Sequence, residues 1–177
     1  MGRLKQGYIQ VYTGNGKGKS TAAIGLAVRA AGAGLTSYII QFMKEYPYSE
    51  LNTLKKLDQW ITIEQVGNDS FVYKKELPSD REIQKARNAL KKVEDLMVNK
   101  SFDLIILDEV LVTVYFKLLT TEEIVSVIHK KPAELELILT GRYCPEEIIE
   151  LADLVTEMKE VKHYYTKGIL SRKGIES

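Results

Sequence analysis

One stretch near the start of the chain limits what the chain can fold into. The segment "VYTGNGKGKSTAAIGLAVRAAG" (Val11–Gly32) joins a run of strand-forming residues to an alanine-rich run through a loop that alternates glycine with polar residues. Glycines allow successive backbone N–H groups to point at one anion, and the N-terminus of the following helix adds donors and a favourable dipole. A strand, a glycine loop and a helix in this order predict a phosphate-binding loop in an α/β fold.

The spacing of this loop departs from the common pattern, which is G-x-x-x-x-G-K-[ST]. Gly18, Lys19 and Ser20 fit the end of that pattern, but Thr13 occupies the first glycine position and Gly14 follows one residue late. We expect Lys19 to reach phosphate oxygens and the Ser20 hydroxyl to reach Mg²⁺. The departure leaves open which end of a nucleotide the loop holds. The alternative is a glycine-rich turn whose lysines lie in solvent.

Apolar runs and helical patterns alternate along the chain. Two positions have the spacing of a capping box that opens a helix, namely Ser79 with Glu82 and Thr120 with Glu123, and Pro145 stands where a first helical residue is common. We predict an α/β fold, P-loop NTPase-like (RecA-like), with a mostly parallel sheet flanked by helices. The runs that predict strands are Tyr8–Thr13, Ser37–Met43, Trp60–Val66, Phe102–Val110, Leu135–Gly141 and Leu154–Val161.

Composition argues against several kinds of partner. The formal net charge is +1, so bulk charge gives no support for nucleic-acid binding. Cys144 is the single cysteine, which excludes an internal disulfide, and no Cys/His cluster has zinc spacing. No apolar run suits a signal peptide or a bilayer span. We expect one domain over residues 1–177, a reducing cytoplasm, and neither nucleic acid nor membrane as a partner.

Polar residues stand at the predicted strand ends, where parallel α/β sheets bind ligands. An apolar strand that ends in Asp108 and Glu109 can hold Mg²⁺ directly or through water, and the alternative is a pair of solvated acids. Gln41 and Lys44 follow the second strand and either line the site or cap the strand. Arg142 follows "LTG" at another strand end, and we expect it to contact phosphate or nucleotide.

Segments downstream of the loop restrict the protein class much further. Many P-loop proteins share the loop and the acid-ended strand, and phosphoryl transfer is their usual reaction. The more specific segments are "IIQFMK" (Ile39–Lys44), "LIILDEV" (Leu104–Val110), "ELILTGR" (Glu136–Arg142), "PEEIIELADLVTEMKEVKHYYTKGI" (Pro145–Ile169) and "RKGIE" (Arg172–Glu176). Together with the loop, they resemble the P-loop ATP:corrinoid adenosyltransferases, also called cob(I)yrinic acid a,c-diamide adenosyltransferases, from near residue 7 onward.

The resemblance implies transfer of the 5′-deoxyadenosyl group of ATP to the Co(I) of a reduced corrinoid, with release of tripolyphosphate. The cobalt attacks the 5′ carbon of the ribose, so no protein base is required and the protein stabilises charge on the leaving triphosphate. The family is understood to hold ATP reversed in the loop, with the terminal phosphate deepest. A loop with two lysines and a bound Mg²⁺ is suited to stabilising the charge on the leaving triphosphate.

The resemblance also assigns roles to individual residues. It implies that Lys19 and Glu109 are catalytic, and that Ser20, Asp108 and Glu109 form the Mg²⁺ site, with Asp108 in support. Arg29 is expected either to approach the nucleotide or to form a surface ion pair. The full set expected to bind the nucleotide is Gly14, Asn15, Gly16, Lys17, Gly18, Lys19, Ser20, Thr21, Arg29 and Arg142.

The family places two aromatic side chains beside the lower face of the corrin. "SFVYKK" offers Phe71 and Tyr73 at the matching place, although the second family aromatic is commonly Trp. Packing of both rings into the core is the alternative. We interpret His163 as structural, or as a contact to nucleotide or corrin, because the family works on a corrinoid without its lower ligand. Cys144 is interpreted as a residue at a helix start and not as a nucleophile.

The resemblance further implies a flavoprotein electron donor and a homodimer. Two alternatives fit the sequence as well. An ordinary P-loop kinase or ATPase would yield ADP without a corrinoid, and Glu109 could position its attacking oxygen. A non-catalytic regulator would bind ATP without turnover. Its partner surface would be the stripe of the Ser79–Asn99 helix, which is more simply the core-facing side of a crossover helix.

Overall fold

The computed structural model describes residues 4–67 and 77–177. Six strands in these residues form one sheet in the order β3-β2-β4-β5-β1-β6, and each neighbouring pair is parallel. The predicted α/β architecture with a mostly parallel sheet is therefore confirmed. The strands are β1 (Ile9–Thr13), β2 (Ser37–Phe42), β3 (Ile61–Val66), β4 (Leu104–Asp108), β5 (Glu136–Thr140) and β6 (Leu154–Glu157).

Helices connect these strands, and two of them begin as the sequence predicts. Ser79 and Glu82 form a capping box before α3, and Thr120 and Glu123 form one before α5. Pro145 differs from the expectation, because it is the extended residue before α6 and not its first helical residue. The helices are α1 (Lys19–Gly32), α2 (Glu50–Leu54), α3 (Asp80–Val98), α4 (Val110–Tyr115), α5 (Thr121–His129) and α6 (Glu146–Leu151).

Helices cover both faces of the central strands, which explains why those strands lack a polar face. Every residue of β2 and β4 is buried. On one face, Ala23 and Ala27 of α1 pack against the sheet, where their small side chains allow close approach. On the other face, Leu90 and Val93 of α3 pack in the larger core. No helix in residues 4–67 and 77–177 combines the length and apolarity that a bilayer crossing requires.

The strand register brings the carboxyl ends of four strands together. Gln41 of β2 lies beside Asp108 of β4, and Tyr12 of β1 lies beside Thr140 of β5. In the described part of the chain, β3 lies at one edge of the sheet, where it pairs with β2. In a parallel sheet these ends share one edge, so the glycine loop after β1 meets the polar residues that follow the other strands.

Candidate active site

A cavity of about 620 Å³ opens at this edge of the sheet. Its wall combines the glycine loop with residues from the ends of β2, β4 and β5, so it brings together much of the expected nucleotide site. The predicted residues that line it are Gly16, Lys17, Gly18, Lys19, Ser20, Thr21, Glu109 and Arg142, together with Lys44 and His163, whose roles were left open.

Backbone hydrogen bonds to the end of β6 fix the glycine loop. The Met158 N–H donates to the Thr13 carbonyl at 2.8 Å, and the Gly16 N–H donates to the Met158 carbonyl at 2.6 Å. Gly14 and Gly18 have φ values of 92° and 119°, which glycine adopts without strain. A Cβ at Gly16 would lie 2.6 Å from the Met158 carbonyl oxygen. The loop therefore needs its glycines for close backbone approach as well as for its turns.

Gly16→Ala is expected to open this junction and weaken ATP binding about tenfold or more, because the new Cβ meets backbone that cannot rotate away. Gly25→Ala is the matched control, since nothing lies within 4 Å of a Cβ at that helical position. It is expected to leave ATP affinity unchanged and to raise stability by about 0.5–1 kcal/mol. Calorimetric titration with ATP and urea unfolding measure both. Equal ATP affinities for the two variants would contradict the prediction.

Lys19 lies folded against its own loop. Its Nζ donates to the carbonyl oxygens of Gly14 and Gly16, each at 2.7 Å, and the residue is only 6% exposed. Burial lowers the pKa of this ammonium, and the charge of Glu109 opposes that effect. Two of its three protons are engaged, so one remains for an anion in the cavity.

Asp108 lies behind the cavity wall and is fully buried. Its Oδ2 accepts from Lys44 Nζ at 2.8 Å and from Gln41 Nε2 at 3.1 Å, and its Oδ1 accepts from Thr140 Oγ1 at 2.7 Å. Burial acts to raise the pKa of this carboxyl, but Lys44 and the other donors, including the Ser20 hydroxyl, outweigh it and hold the pKa below its ordinary value. Lys44 thus neutralises Asp108, which does not itself line the cavity.

Glu109 faces the cavity directly. Its backbone is left-handed, with φ 60°, a conformation that residues other than glycine seldom adopt and that is often found at functional sites. The Glu109 N–H donates to Thr140 Oγ1 at 2.9 Å, so one hydroxyl fixes both acids. Burial, followed by the charge of Asp108, raises the pKa of the Glu109 carboxyl. Lys19, Lys44 and Arg142 act in the opposite direction.

Other predicted residues lie at the margins of the site or away from it. Arg142 Nη2 donates to the Asn15 carbonyl at 3.3 Å, which joins the end of β5 to the loop. Arg29 is exposed in the last turn of α1 and does not line the cavity, because the helix axis carries it about 15 Å beyond Lys19. The predicted corrin contacts Phe71 and Tyr73 lie outside the described residues.

His163 and Cys144 have environments that fit modest roles. His163 lines the cavity, and its Nδ1 accepts from the Tyr165 N–H at 3.1 Å. A further partner would therefore bond to its Nε2. Cys144 is half-buried just before α6. Burial, with the charge of Glu146 in addition, raises the pKa of its thiol to about 12, so the thiol stays protonated at neutral pH and is a poor nucleophile.

Sequence reasoning missed part of the cavity wall. Tyr48, Ser49, Glu50 and Thr53, in and before α2, line one side, and Gly174–Ser177 line another. A helix of five residues is too short to show a period, so α2 gave no signal. The "RKGIE" segment did give a signal, since it is among the segments that resemble the family. Its position beside the loop, however, depends on contacts between residues that are distant in sequence.

These features define a P-loop nucleotide-binding protein of the RecA-like fold. The chain is similar in fold to a solved structure, the KaiC-like protein PH0186 from Pyrococcus horikoshii OT3, with a TM-score of 0.61, 14% identity, and coverage of 90% of this chain and 76% of that one.

Residues 5–177 match the family described as ATP:corrinoid adenosyltransferase BtuR/CobO/CobP, and the chain belongs to this family. Similar relatives carry the same activity in their names. A corrinoid adenosyltransferase of Escherichia coli K12 is 35% identical over 97% of this chain and 86% of its own length. The corrinoid adenosyltransferase CobA of Salmonella typhimurium LT2 is 32% identical over the same shares. The chain is an enzyme that transfers the adenosyl group of ATP to a corrinoid.

Proposed function

We propose that the loop holds the triphosphate of ATP as a leaving group while the ribose 5′ carbon is presented to a reduced corrinoid. The observation that carries this proposal is the convergence of cations on one cavity. Lys17, Lys19, Lys44 and Arg142 all line it, and Glu109, which directly follows β4, lines it as well. This arrangement suits charge that develops on a departing phosphate chain.

The chain's residues then have separable tasks. Lys19 is buried against the carbonyl oxygens of Gly14 and Gly16 in the loop, and it would bind the innermost phosphate. Arg142 and Lys17 lie nearer the surface and would bind oxygens further along the chain. Glu109 would orient the ribose end. Because the corrinoid cobalt is the nucleophile, none of these residues has to remove a proton from the attacking group.

The donor set of the cavity fits a magnesium ion that travels with ATP. The described residues contain no group of three or more His, Cys, Asp or Glu side chains able to hold a metal ion. Mg²⁺ commonly uses one or two protein ligands and takes the remainder from phosphate and water. Ser20 and Glu109 would be those ligands, with Asp108 in support through the Ser20 hydroxyl. When bound, the ion neutralises charge on the leaving phosphates.

A product assay tests the reaction and its direction of attack. ATP, Mg²⁺ and chemically reduced cobalamin should yield a light-sensitive product with a Co–C bond together with tripolyphosphate. Production of ADP without a corrinoid would instead indicate attack at phosphorus by a kinase or ATPase. Tight ATP binding with no product from confirmed Co(I) would indicate a regulator. Either of the last two results would contradict the proposal.

The remaining expectations about partners are also proposals. The resemblance supports a flavoprotein electron donor, a homodimer, and corrin packing against Phe71 and Tyr73. A reduced corrinoid and a chain with a single cysteine both suit a reducing cytoplasm. The joining of all described strands into one sheet supports treating residues 1–177 as one domain.

A further inference from the structure

The segment of residues 172–177, called the strap here, connects two parts of the nucleotide cavity wall. Its residues Gly174–Ser177 line the cavity together with the phosphate loop. On the far side, Ser49 Oγ donates to the Ser177 backbone oxygen at 2.9 Å, just before α2. On the near side, the strap is bonded to Lys17 of the loop. The strap is therefore bonded both to the phosphate loop and to the segment before α2, two parts of the cavity in which the triphosphate would lie.

The Lys17 ammonium forms hydrogen bonds with two residues of the strap and with Tyr164. Its Nζ donates to Glu176 Oε1 at 2.8 Å, to the Ile175 carbonyl at 3.0 Å and to Tyr164 Oη at 3.2 Å. An ammonium has three protons, so all of them are engaged. Lys17 can therefore bind a phosphate oxygen only by giving up one of these partners. Its side chain is 41% exposed, which leaves it free to move.

Glu176 is the anionic centre of this cluster. Arg172 donates to the same carboxylate through its backbone N–H at 2.9 Å, through Nε at 3.2 Å and through Nη2 at 3.1 Å, and Tyr164 Oη bonds to it as well. Arg172 first, followed by Lys17 and Tyr164, holds the pKa of the Glu176 carboxyl well below its ordinary value. The carboxylate remains ionised, and it would keep Arg172 as a counter-charge if Lys17 left.

We propose that Glu176 is a positioning residue that competes with the triphosphate for Lys17, so that binding of the phosphate chain releases the strap from the loop. This inference rests on the proposed role of Lys17 in phosphate binding. The exchange has a small cost because each charge keeps a partner. Lys17 moves from a carboxylate to a more highly charged phosphate chain, and Glu176 stays paired with Arg172. The contact thus holds the strap closed only while the loop is empty.

Titration with inorganic tripolyphosphate tests the competition at the phosphate end alone. Glu176→Gln is expected to tighten tripolyphosphate binding about threefold, since it removes the competing charge at a partly exposed pair. Glu94→Gln is the matched control and is expected to change nothing. The Glu94–Lys130 pair has an N–O distance of 2.7 Å and side-chain exposures of 18% and 51%, against 2.8 Å, 16% and 41% for Glu176 and Lys17. Unchanged or weaker binding by E176Q would overturn the inference.

A double-mutant cycle separates this inference from the proposed function. Lys17→Met is expected to weaken tripolyphosphate binding, and adding E176Q to K17M is expected to have no further effect. If wild-type protein and K17M bind tripolyphosphate equally, the phosphate role of Lys17 fails and the inference fails with it. If K17M binds tripolyphosphate more weakly than wild-type protein, but adding E176Q to K17M still changes that binding, only the competition is overturned.

Amide hydrogen exchange of the strap gives a readout that does not depend on catalysis. In wild-type protein, exchange in residues 174–177 is expected to rise when tripolyphosphate is added, because Lys17 leaves the Ile175 carbonyl and Glu176. In K17M, exchange should already be raised without ligand. Slower exchange on adding tripolyphosphate would mean that the strap tightens over the phosphates, which would overturn the proposed release.

Discussion

Lys44→Met is expected to lower the free energy of unfolding by about 3–5 kcal/mol, because it leaves a carboxylate buried without its counter-charge. Asp108 is fully buried, and the Lys44 side chain beside it is only 11% exposed. Gln41 and Thr140 would still donate to the carboxylate, but neither carries a positive charge. Urea unfolding followed by circular dichroism measures the loss.

Two further variants make this result specific. Lys130→Met removes a pair of similar length, with an N–O distance of 2.7 Å, whose lysine side chain is 51% exposed, so it is expected to cost less than about 1 kcal/mol. Adding Asp108→Asn to K44M removes the stranded charge and is expected to restore most of the stability. A loss of under about 1 kcal/mol in K44M, or no recovery in the double variant, would show that Lys44 does not neutralise Asp108.

Lys19→Met is expected to lower kcat/KM for ATP by about a hundredfold or more. Removal of one fixed group that stabilises developing charge typically has an effect of about 10²–10³-fold. Lys19 is more buried than Lys17 and forms no ion pair with a carboxylate of the described residues, so its charge is available to the substrate. The larger part of the loss is expected in kcat if the charge contact strengthens as the triphosphate leaves. Steady-state kinetics with reduced cobalamin measure both constants.

Lys85→Met controls for the substitution itself. Lys85 is exposed on α3 and does not line the cavity, so kcat/KM should stay within about twofold of the wild-type value. Melting temperatures of both variants establish that the proteins are folded, since K19M also removes a donor from two loop carbonyls. A kcat/KM near that of wild type in folded K19M would contradict the role of Lys19 in holding the leaving group.

Local chemistry made much of the fold predictable from sequence. The runs that became β2 and β4 are mainly apolar, with Ser37, Gln41 and Asp108 as the polar exceptions, because helices cover both faces of these strands. That pattern is visible without tertiary information. Both capping boxes act within four residues, so their spacing predicts the starts of α3 and α5. By contrast, α2 and α4 have five and six residues, too few for a helical period to emerge.

The candidate site was less predictable, because its electrostatics depend on distant pairs. That Asp108 bonds to Lys44, 64 residues away, follows from strand register, and no spacing signals it. The Lys17–Glu176 pair is separated by 159 residues and depends on where the strap lies. Arg29 was expected either to approach the nucleotide or to form a surface ion pair. The axis of α1, which points away from the loop, leaves Arg29 exposed in the last helical turn and off the cavity wall.

The hydrogen bonds between the glycine loop and Met158 also bear on when the site forms during synthesis. Residues 13–16 leave the ribosome early, but the backbone that fixes their shape is that of Met158, directly after β6, and Arg142 reaches Asn15 from the end of β5. A nascent chain therefore carries the loop sequence long before it carries a shaped loop, and these late contacts have high sequence separation. Affinity for ATP should emerge near the end of translation, when β6 pairs with β1.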